Sequence, residues 1–292
     1  MFVSPERQEL SAALRMQYKQ STVHKSATHC EYRSIILSIH RIDSAPYNQV
    51  QKLVFKCEFF EVPLIRYSPG GFPKKKFEIE DPGVNTYMGT LDAQLSEADA
   101  SAGNFKTAHP GKVQITSGSC PLPNGKVCIK QVFDRKPDGG IARLKGRHEL
   151  ERLSVECNSL IWASILLDLT YQFTAREIER MGDLSCPIPV IPTLRFMTSM
   201  IAIVRESSME KAFLVEEWIA SDDSEQPFIK YMGNRFPESC VPPTAHAKAH
   251  DIAEFLIFAQ HVQYEKSGGM VFTSDYQGAG NILTDPQITS NP

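Results

Sequence analysis

The chain has 292 residues, 42% of them hydrophobic and 22% charged, which is enough to bury one large core or two lobes and carries no mark of disorder. Its formal net charge of -3 at pH 7 provides no basic footprint, so nucleic acid is not an expected partner. Seven cysteines without a CxxC pair are an odd count unsuited to a disulfide framework and point to reduced thiols.

The opening MFVSPERQEL has no apolar core of signal-peptide length, and the longest apolar stretch, LIWASILL, is stopped by Asp168 well short of a membrane span. An intracellular, cytoplasmic protein with no membrane partner is therefore expected. Residues 1–50 are polar, with SIILSIHRI (34–42) alternating weakly like a strand. KLVFKCEFFEVPLIRY (52–67) reads as β-rich and is closed by the turn signal SPGGFP (68–73). GKVQI (111–115) and KVCIKQVF (126–133), separated by Pro123, Asn124 and Gly125, predict antiparallel strands.

In residues 148–181 the apolar positions Leu150, Leu153, Leu160, Ile161, Leu167 and Leu169 recur at three- and four-residue steps, which predicts one long helix. SMIAIVRE (199–206) and KAFLVEEWI (211–219) predict a hairpin, and DDSEQP (222–227) a polar connector. A second helix is expected from a Thr244 cap through Ile252, Phe255, Leu256 and Ala259 to a Gly268-Gly269 stop. MVFTSD then reads as a short strand delivering Asp275, ahead of the Gly-rich run that leads to Asp285.

This layout, a β-rich part with one long helix followed by a smaller part presenting two aspartates, suits a nucleotide held between lobes. Phosphoryl transfer needs a cation on the phosphates, a backbone loop over them, hard oxygen ligands for magnesium and a carboxylate near the attacking hydroxyl. Lys130 is the candidate cation, since Val127 and Ile129 alternate with Cys128 and Lys130 on opposite strand faces; taken by itself, an exposed strand lysine is the better reading. Glu156 in the long helix is the candidate to hold Lys130 by an ion pair, or else an ordinary solvated helix glutamate. AGNFKTA (102–108), with Gly103, is a phosphate loop or a plain turn. Gln277 and Asp285, flanking Gly278 and Gly280, are hard ligands of the kind magnesium takes, or caps of an ordinary Gly-rich hairpin.

The stretch HVQYEKSGGMVFTSDYQGAGNILTDPQI (261–288) resembles the signature of the alpha-kinase family of atypical serine/threonine kinases, with D-x-Q-G and L-T-D-P at a specific spacing. FLVEEWI (213–219) is similar to the family's hinge strand, FIKYMGN (228–234) to its lysine-tyrosine-asparagine loop, and VCIKQVF (127–133) to its nucleotide-lysine strand. HRD, DFG and APE signatures are absent, as in that family. The resemblance implies an α+β, two-lobed, atypical protein-kinase-like fold over residues 65–292, after a 1–64 extension of unknown role. It also implies ATP-dependent phosphorylation of protein serine or threonine.

Residue by residue, the resemblance implies Lys130 on the α/β-phosphates with Glu156 orienting it, and Gly103 in the phosphate loop. Glu216, Glu217 and Trp218 would lie along the adenine hinge, with Lys230 and Asn234 also in the nucleotide site. Asp275 would be the catalytic carboxylate, and Gln277 and Asp285 the magnesium ligands. Lys130→Ala is expected to abolish ATP binding while leaving the fold intact. The chain departs from the pattern at Glu217, where the family has proline, and at Lys106, where its phosphate loop has arginine. It also ends at Pro292, before the family's terminal zinc ligands, so only His261 of a zinc site is expected and zinc binding should be absent or incomplete. The rival functional readings are a truncated pseudokinase that binds ATP or a protein without transfer, and a β-rich interaction module.

Overall fold

The computed structural model describes residues 51–66, 76–81, 83–95, 105–135, 140–182, 190–206, 209–221, 226–244 and 246–290. The strand expected at 34–42, the turn at 68–73 and Gly103 lie outside these residues. Strands β1 (Gln51–Phe60), β2 (Thr86–Leu95), β3 (Lys106–Ile115) and β4 (Gly125–Arg135) run antiparallel in succession. After the long helix, β7 (Ser199–Glu206) and β8 (Met209–Glu217) form the expected hairpin, which pairs with β1 on one side and β4 on the other. Since β3 pairs with β4, the ring β3-β2-β1-β7-β8-β4 closes on itself as a six-stranded antiparallel barrel.

Alternation along the strands divides their side chains between two cores. Phe55, Phe59, Leu91, Val113, Val127, Ile129, Phe213 and Val215 share the barrel interior. Val132, Ile201, Ile203 and Leu214 point outward and pack under Leu153 and Cys157 of the helix. Strand β1 sits ahead of the domain boundary expected at residue 65 and is nonetheless a barrel strand. Strand β2 was not anticipated, because Gly89 and Asp92 interrupt its alternation. Gly89 lacks a side chain for a reason: a Cβ there would collide with the Gln114 carbonyl and crowd Phe59.

A short strand, β5 (Ile141–Arg143), leads into α1 (Gly146–Met181), two residues longer at its start than the periodicity predicts. Buried Glu149 in its first turn accepts hydrogen bonds from Arg143 Nε at 2.9 Å and the Ala212 amide at 3.1 Å, fixing the helix start against β8. The helix ends at Gly182, whose φ of 61° and ψ of -146° form a conformation open essentially to glycine alone. By length and composition α1 meets the criterion for crossing a membrane, even though Asp168 interrupts its apolar run. In the fold, its apolar side chains serve two cores: Leu153 and Cys157 face the barrel, and Leu160, Ala163 and Leu167 face the C-terminal part.

That part contains β6 (Arg195–Phe196), β9 (Ile229–Lys230), α2 (Ala247–Lys266), β10 (Val271–Ser274), β11 (Gln277–Ala279), β12 (Ile282–Thr284) and β13 (Gln287–Ser290). Helix α2 starts after His246 rather than Thr244, and the chain turns at Gly268 and Gly269 as expected. Its Ile252, Phe255 and Leu256 pack with Tyr231, Tyr276 and Leu283 against α1. Strands β6-β12-β11-β9 form a small sheet, and β10 pairs with β13.

Candidate active site

The barrel's outer face near α1 gathers charge by register. Strand β8 sets Glu216 opposite Cys128 and Leu214 opposite Lys130, so Lys130 and Glu216 are diagonal neighbours on one face. On the other side of β4, β3 sets Lys106 opposite Val132, placing Lys106 diagonally across from Lys130. Helix α1 passes over this face carrying Glu156, and the end of β12 brings in Asp285.

These five side chains meet. Lys130 Nζ lies 2.7 Å from Glu216 Oε2 and 2.6 Å from Asp285 Oδ1. Lys106 Nζ lies 2.6 Å from Glu156 Oε2 and 3.0 Å from the same Asp285 Oδ1. Burial opposes the Lys130 charge, but Asp285 and then Glu216 outweigh it and hold the ammonium well above its ordinary range. Burial likewise opposes the charge of Asp285, and the two lysines outweigh it, keeping the carboxyl far below the usual carboxylate range. Glu216 is the group left strained: burial pushes it up to about 7, although Lys130 pulls the other way.

The two aspartates of the C-terminal stretch are held by backbone as well as charge. Asp275 has φ 60° and Asp285 φ 48°, and these are the non-glycine residues with positive φ among the described residues. Such conformations concentrate at functional sites, and aspartate reaches them more readily than most residues. Between them Gly278 pairs with Leu283, and a Cβ at 278 would run into the Ile282 carbonyl, so the β11–β12 hairpin closes only around glycine. Gln277 Nε2 donates to Asp285 Oδ2 at 3.3 Å. Lys230 Nζ lies 2.6 Å from Asp275 Oδ1, and the Asp275 amide donates to the Gly233 carbonyl at 3.4 Å.

The structure thus brings together Lys130, Glu156, Glu216, Gln277 and Asp285, with Asp275 and Lys230 adjoining through the hairpin. One pairing differs from expectation: Glu156 meets Lys106, and Lys130 is held by Glu216 and Asp285 instead. The reason is register, since β3 carries Lys106 toward α1 while β8 puts Glu216 beside Lys130. Glu216 was read as a hinge residue, and its carboxylate turns into the site beside Lys130. Glu217 turns away to Arg195. Trp218 is part-exposed with Lys126 Nζ 5.9 Å from its ring centre, and Asn234 Nδ2 donates to Gln287 Oε1 at 3.0 Å. Lys106 was noticed only as an exception to a pattern. The signal for it was its place at the start of a strand, where side-chain direction is fixed.

The Asp285 carboxylate and the Gln277 amide are hard oxygen donors of the kind magnesium takes, on a hairpin fixed by a required glycine, so these residues fit that ion. His261 is exposed on α2, and among the described residues no three or more His, Cys, Asp or Glu gather in a group suited to a metal ion. A cavity of about 480 Å³ lies elsewhere, against the N-terminal half of α1 between Phe77, Leu144, His148 and Val155.

The buried Glu216 makes stability depend on pH. Its folded pKa, about 7, exceeds its ordinary 4.5, so between these values the folded chain holds a proton that the unfolded chain releases, and stability falls as pH rises through that window. Asp285 has the opposite sign, contributing stability that is lost on acidification below its ordinary 3.8. Relative to Glu216→Gln, the melting temperature of the unmodified chain should decline between about pH 5 and 7.5. Parallel melting curves across that range would remove Glu216 as the titrating group.

Among known proteins, the model of the alpha-kinase family matches residues 113–291. No curated protein was matched in sequence. Solved structures similar to this chain include the alpha-kinase domain of myosin heavy chain kinase A with ADP, at 13% identity over 82% of this chain and 84% of that chain, TM-score 0.45. The same domain with AMP-PNP is 13% identical over 82% of each chain, TM-score 0.47. A C-terminally truncated alpha-kinase domain of myosin heavy chain kinase is 12% identical over 82% of this chain and 85% of that one, TM-score 0.46.

Proposed function

The chain belongs to the alpha-kinase family, and from that membership we propose that it transfers the γ-phosphate of ATP to serine or threonine hydroxyls of a protein substrate. One observation carries the reading: Lys130, Lys106, Glu216, Glu156 and Asp285 meet through contacts of 2.6–3.0 Å where the barrel, α1 and the C-terminal hairpin join.

Lys130 binds the α/β-phosphates, and Glu216 keeps it charged and aimed while its bond to Asp285 is exchanged for phosphate oxygens. Lys106, steadied by Glu156, adds a second cation over the phosphates. Asp285 and Gln277 would hold magnesium, which supplies neutralisation of the phosphate charge. Asp275, held in place by its backbone conformation and by Lys230, accepts the proton of the attacking hydroxyl. Asn234 supports this arrangement through Gln287, Trp218 borders the base, and Glu217 serves through its backbone and its partner rather than by touching the nucleotide. The catalytic unit includes the barrel from β1 onward, and the protein works in the cytoplasm.

Single-turnover transfer from labelled ATP to a basic peptide tests the proposal, with a magnesium-ATP thermal shift alongside. Label on serine or threonine is the expected result. A thermal shift without transfer would make the chain a nucleotide-binding module, and neither signal would end the kinase reading.

A further inference from the structure

Glu217 follows Glu216 at the end of β8, so its side chain leaves the opposite side of the strand from the Lys130 cluster. Its carboxylate accepts two hydrogen bonds from Arg195, Nη1 to Oε2 at 2.7 Å and Nη2 to Oε1 at 2.6 Å. This fork-to-fork arrangement fixes orientation as well as distance. The same carboxylate accepts the Thr198 amide at 3.3 Å, and the Glu217 amide donates to the Thr198 carbonyl at 2.9 Å. The Glu217 side chain is only 15% exposed, so the pair is partly shielded from solvent, whereas Arg195 is 48% exposed.

What the pair connects gives it meaning. Arg195 lies on β6, which runs parallel to β12 with Arg195 opposite Ile282 and Phe196 opposite Leu283. The Arg195 amide donates to the Asn281 carbonyl at 3.0 Å, at the tip of the β11–β12 hairpin. That hairpin carries Gln277 and leads directly into Asp285, while β8 carries Glu216. One ion pair thus links the barrel strand that aims Lys130 to the hairpin that presents Asp285. The Lys130–Asp285 contact also spans these two parts, but it is the contact that must be exchanged when phosphates arrive. The Arg195–Glu217 pair lies to the side and has no such duty.

We propose that Arg195 and Glu217 form a positioning latch that holds the β11–β12 hairpin at the end of β8 and so sets the spacing between Lys130 and the metal-binding carboxylate. Neither side chain touches the reacting groups. The kinetic part of this proposal rests on the kinase function proposed above; the structural part does not. Because a largely surface ion pair contributes little to global stability, the latch predicts a change in nucleotide handling out of proportion to any change in melting.

The test uses the full chain in five versions: unmodified, Arg195→Glu, Glu217→Arg, the double reversal, and the milder Arg195→Met. Amide exchange across residues 277–285 is read without nucleotide, and KM for magnesium-ATP and kcat are read with a peptide acceptor. Each single substitution should speed exchange of the hairpin and raise KM for magnesium-ATP about tenfold, a size typical of coupled neighbours. Melting should drop by about 2–4 °C or less, and kcat should fall less than KM rises. The double reversal should restore both exchange and KM toward the unmodified values.

Unchanged hairpin exchange in the single variants, or no recovery in the double, would overturn the latch. Faster exchange with an unmoved KM would overturn its role in setting the nucleotide site. Should a reversal variant fail to fold, Arg195→Met carries the same two readouts. If the unmodified chain neither binds nor turns over ATP, the kinase function fails, and the exchange measurements alone still decide whether the latch exists.

Discussion

Replacing Lys130 with methionine should abolish phosphotransfer and also lower the melting temperature, more so at alkaline pH, and that pH dependence should largely vanish when Glu216→Gln is added. The sequence suggested that losing Lys130 would spare the fold, because the residue reads there as a phosphate partner rather than a member of the core. In the structure its side chain is 7% exposed and Glu216 beside it 2%. Removing one member of a buried pair leaves the other charged and unpaired, at a cost of about 3–5 kcal/mol. Glu216 has an escape, since its pKa is already about 7 and losing Lys130 raises it further. Asp285 loses one of its two lysines at either pH and lowers both melts alike, so the deficit of the variant should be smaller near pH 6, where Glu216 is neutral, and larger near pH 8, where folding must hold the proton against solution. With Glu216→Gln added, the buried amide needs no counter-charge and the pH dependence should flatten, while transfer stays reduced by about 10² or more because the phosphate cation is still missing. Melts at the two pH values and one single-turnover assay suffice. Transfer by the double variant would remove Lys130 from the chemistry, and an equal deficit of the single variant at both pH values would remove the buried pair from the stability argument.

The second large effect separates the two aspartates. Asp275→Asn should leave magnesium-ATP affinity within about threefold while lowering turnover by roughly 10²–10⁴, the loss expected of a positioned general base. Asparagine is the informative replacement because it also tolerates the left-handed backbone seen at φ 60°, so chemistry changes without added strain. Asp285→Asn should act earlier in the cycle. Its carboxylate accepts from Lys130, Lys106 and Gln277, and a neutral amide there leaves two lysines short of a counter-charge and magnesium short of a ligand. Magnesium-dependent ATP binding should weaken about tenfold or more, with turnover lost in consequence. Titration of a fluorescent ATP analogue at several magnesium concentrations, followed by a transfer assay, distinguishes them. Equal loss of binding by both variants would contradict this separation of roles, as would an Asp275→Asn protein that keeps its rate.

Much of this site could be read from local sequence, and the limits were physical ones. Alternation in KVCIKQVF correctly put Val127 and Ile129 in the core and Lys130 on the other face, since strand periodicity needs only near neighbours. The glycines at 278 and 280 marked the hairpin, and one of them is required by a backbone contact. Partners were harder, because they depend on register between distant strands. No local pattern says that Lys106 faces Glu156 or that Glu216 turns inward to Lys130. Barrel closure was hidden for the same reason, with β2 weakened by Gly89 and the seam formed by strands on either side of a long helix. Arg195 stands in a two-residue strand too short to show any periodicity, and Glu217 registered as a hinge residue and an exception to a motif, with no sign of its partner.

That seam bears on how the chain assembles. Strands β1 to β4 come first and can curl together by successive hairpins, but the ring stays open until β7 and β8 arrive from beyond α1, where Phe60 meets Ile201 and Lys130 meets Leu214. Contacts so distant in sequence form slowly, as their loop-closure entropy must be met first. During synthesis several seconds pass between β4 and β8 at ordinary elongation rates, with Phe55, Leu91, Val113 and Ile129 uncovered and two strand edges unpaired. The ribosome-bound intermediate should accordingly be prone to aggregation, and a fragment ending between β5 and β7 would keep this half-built barrel open.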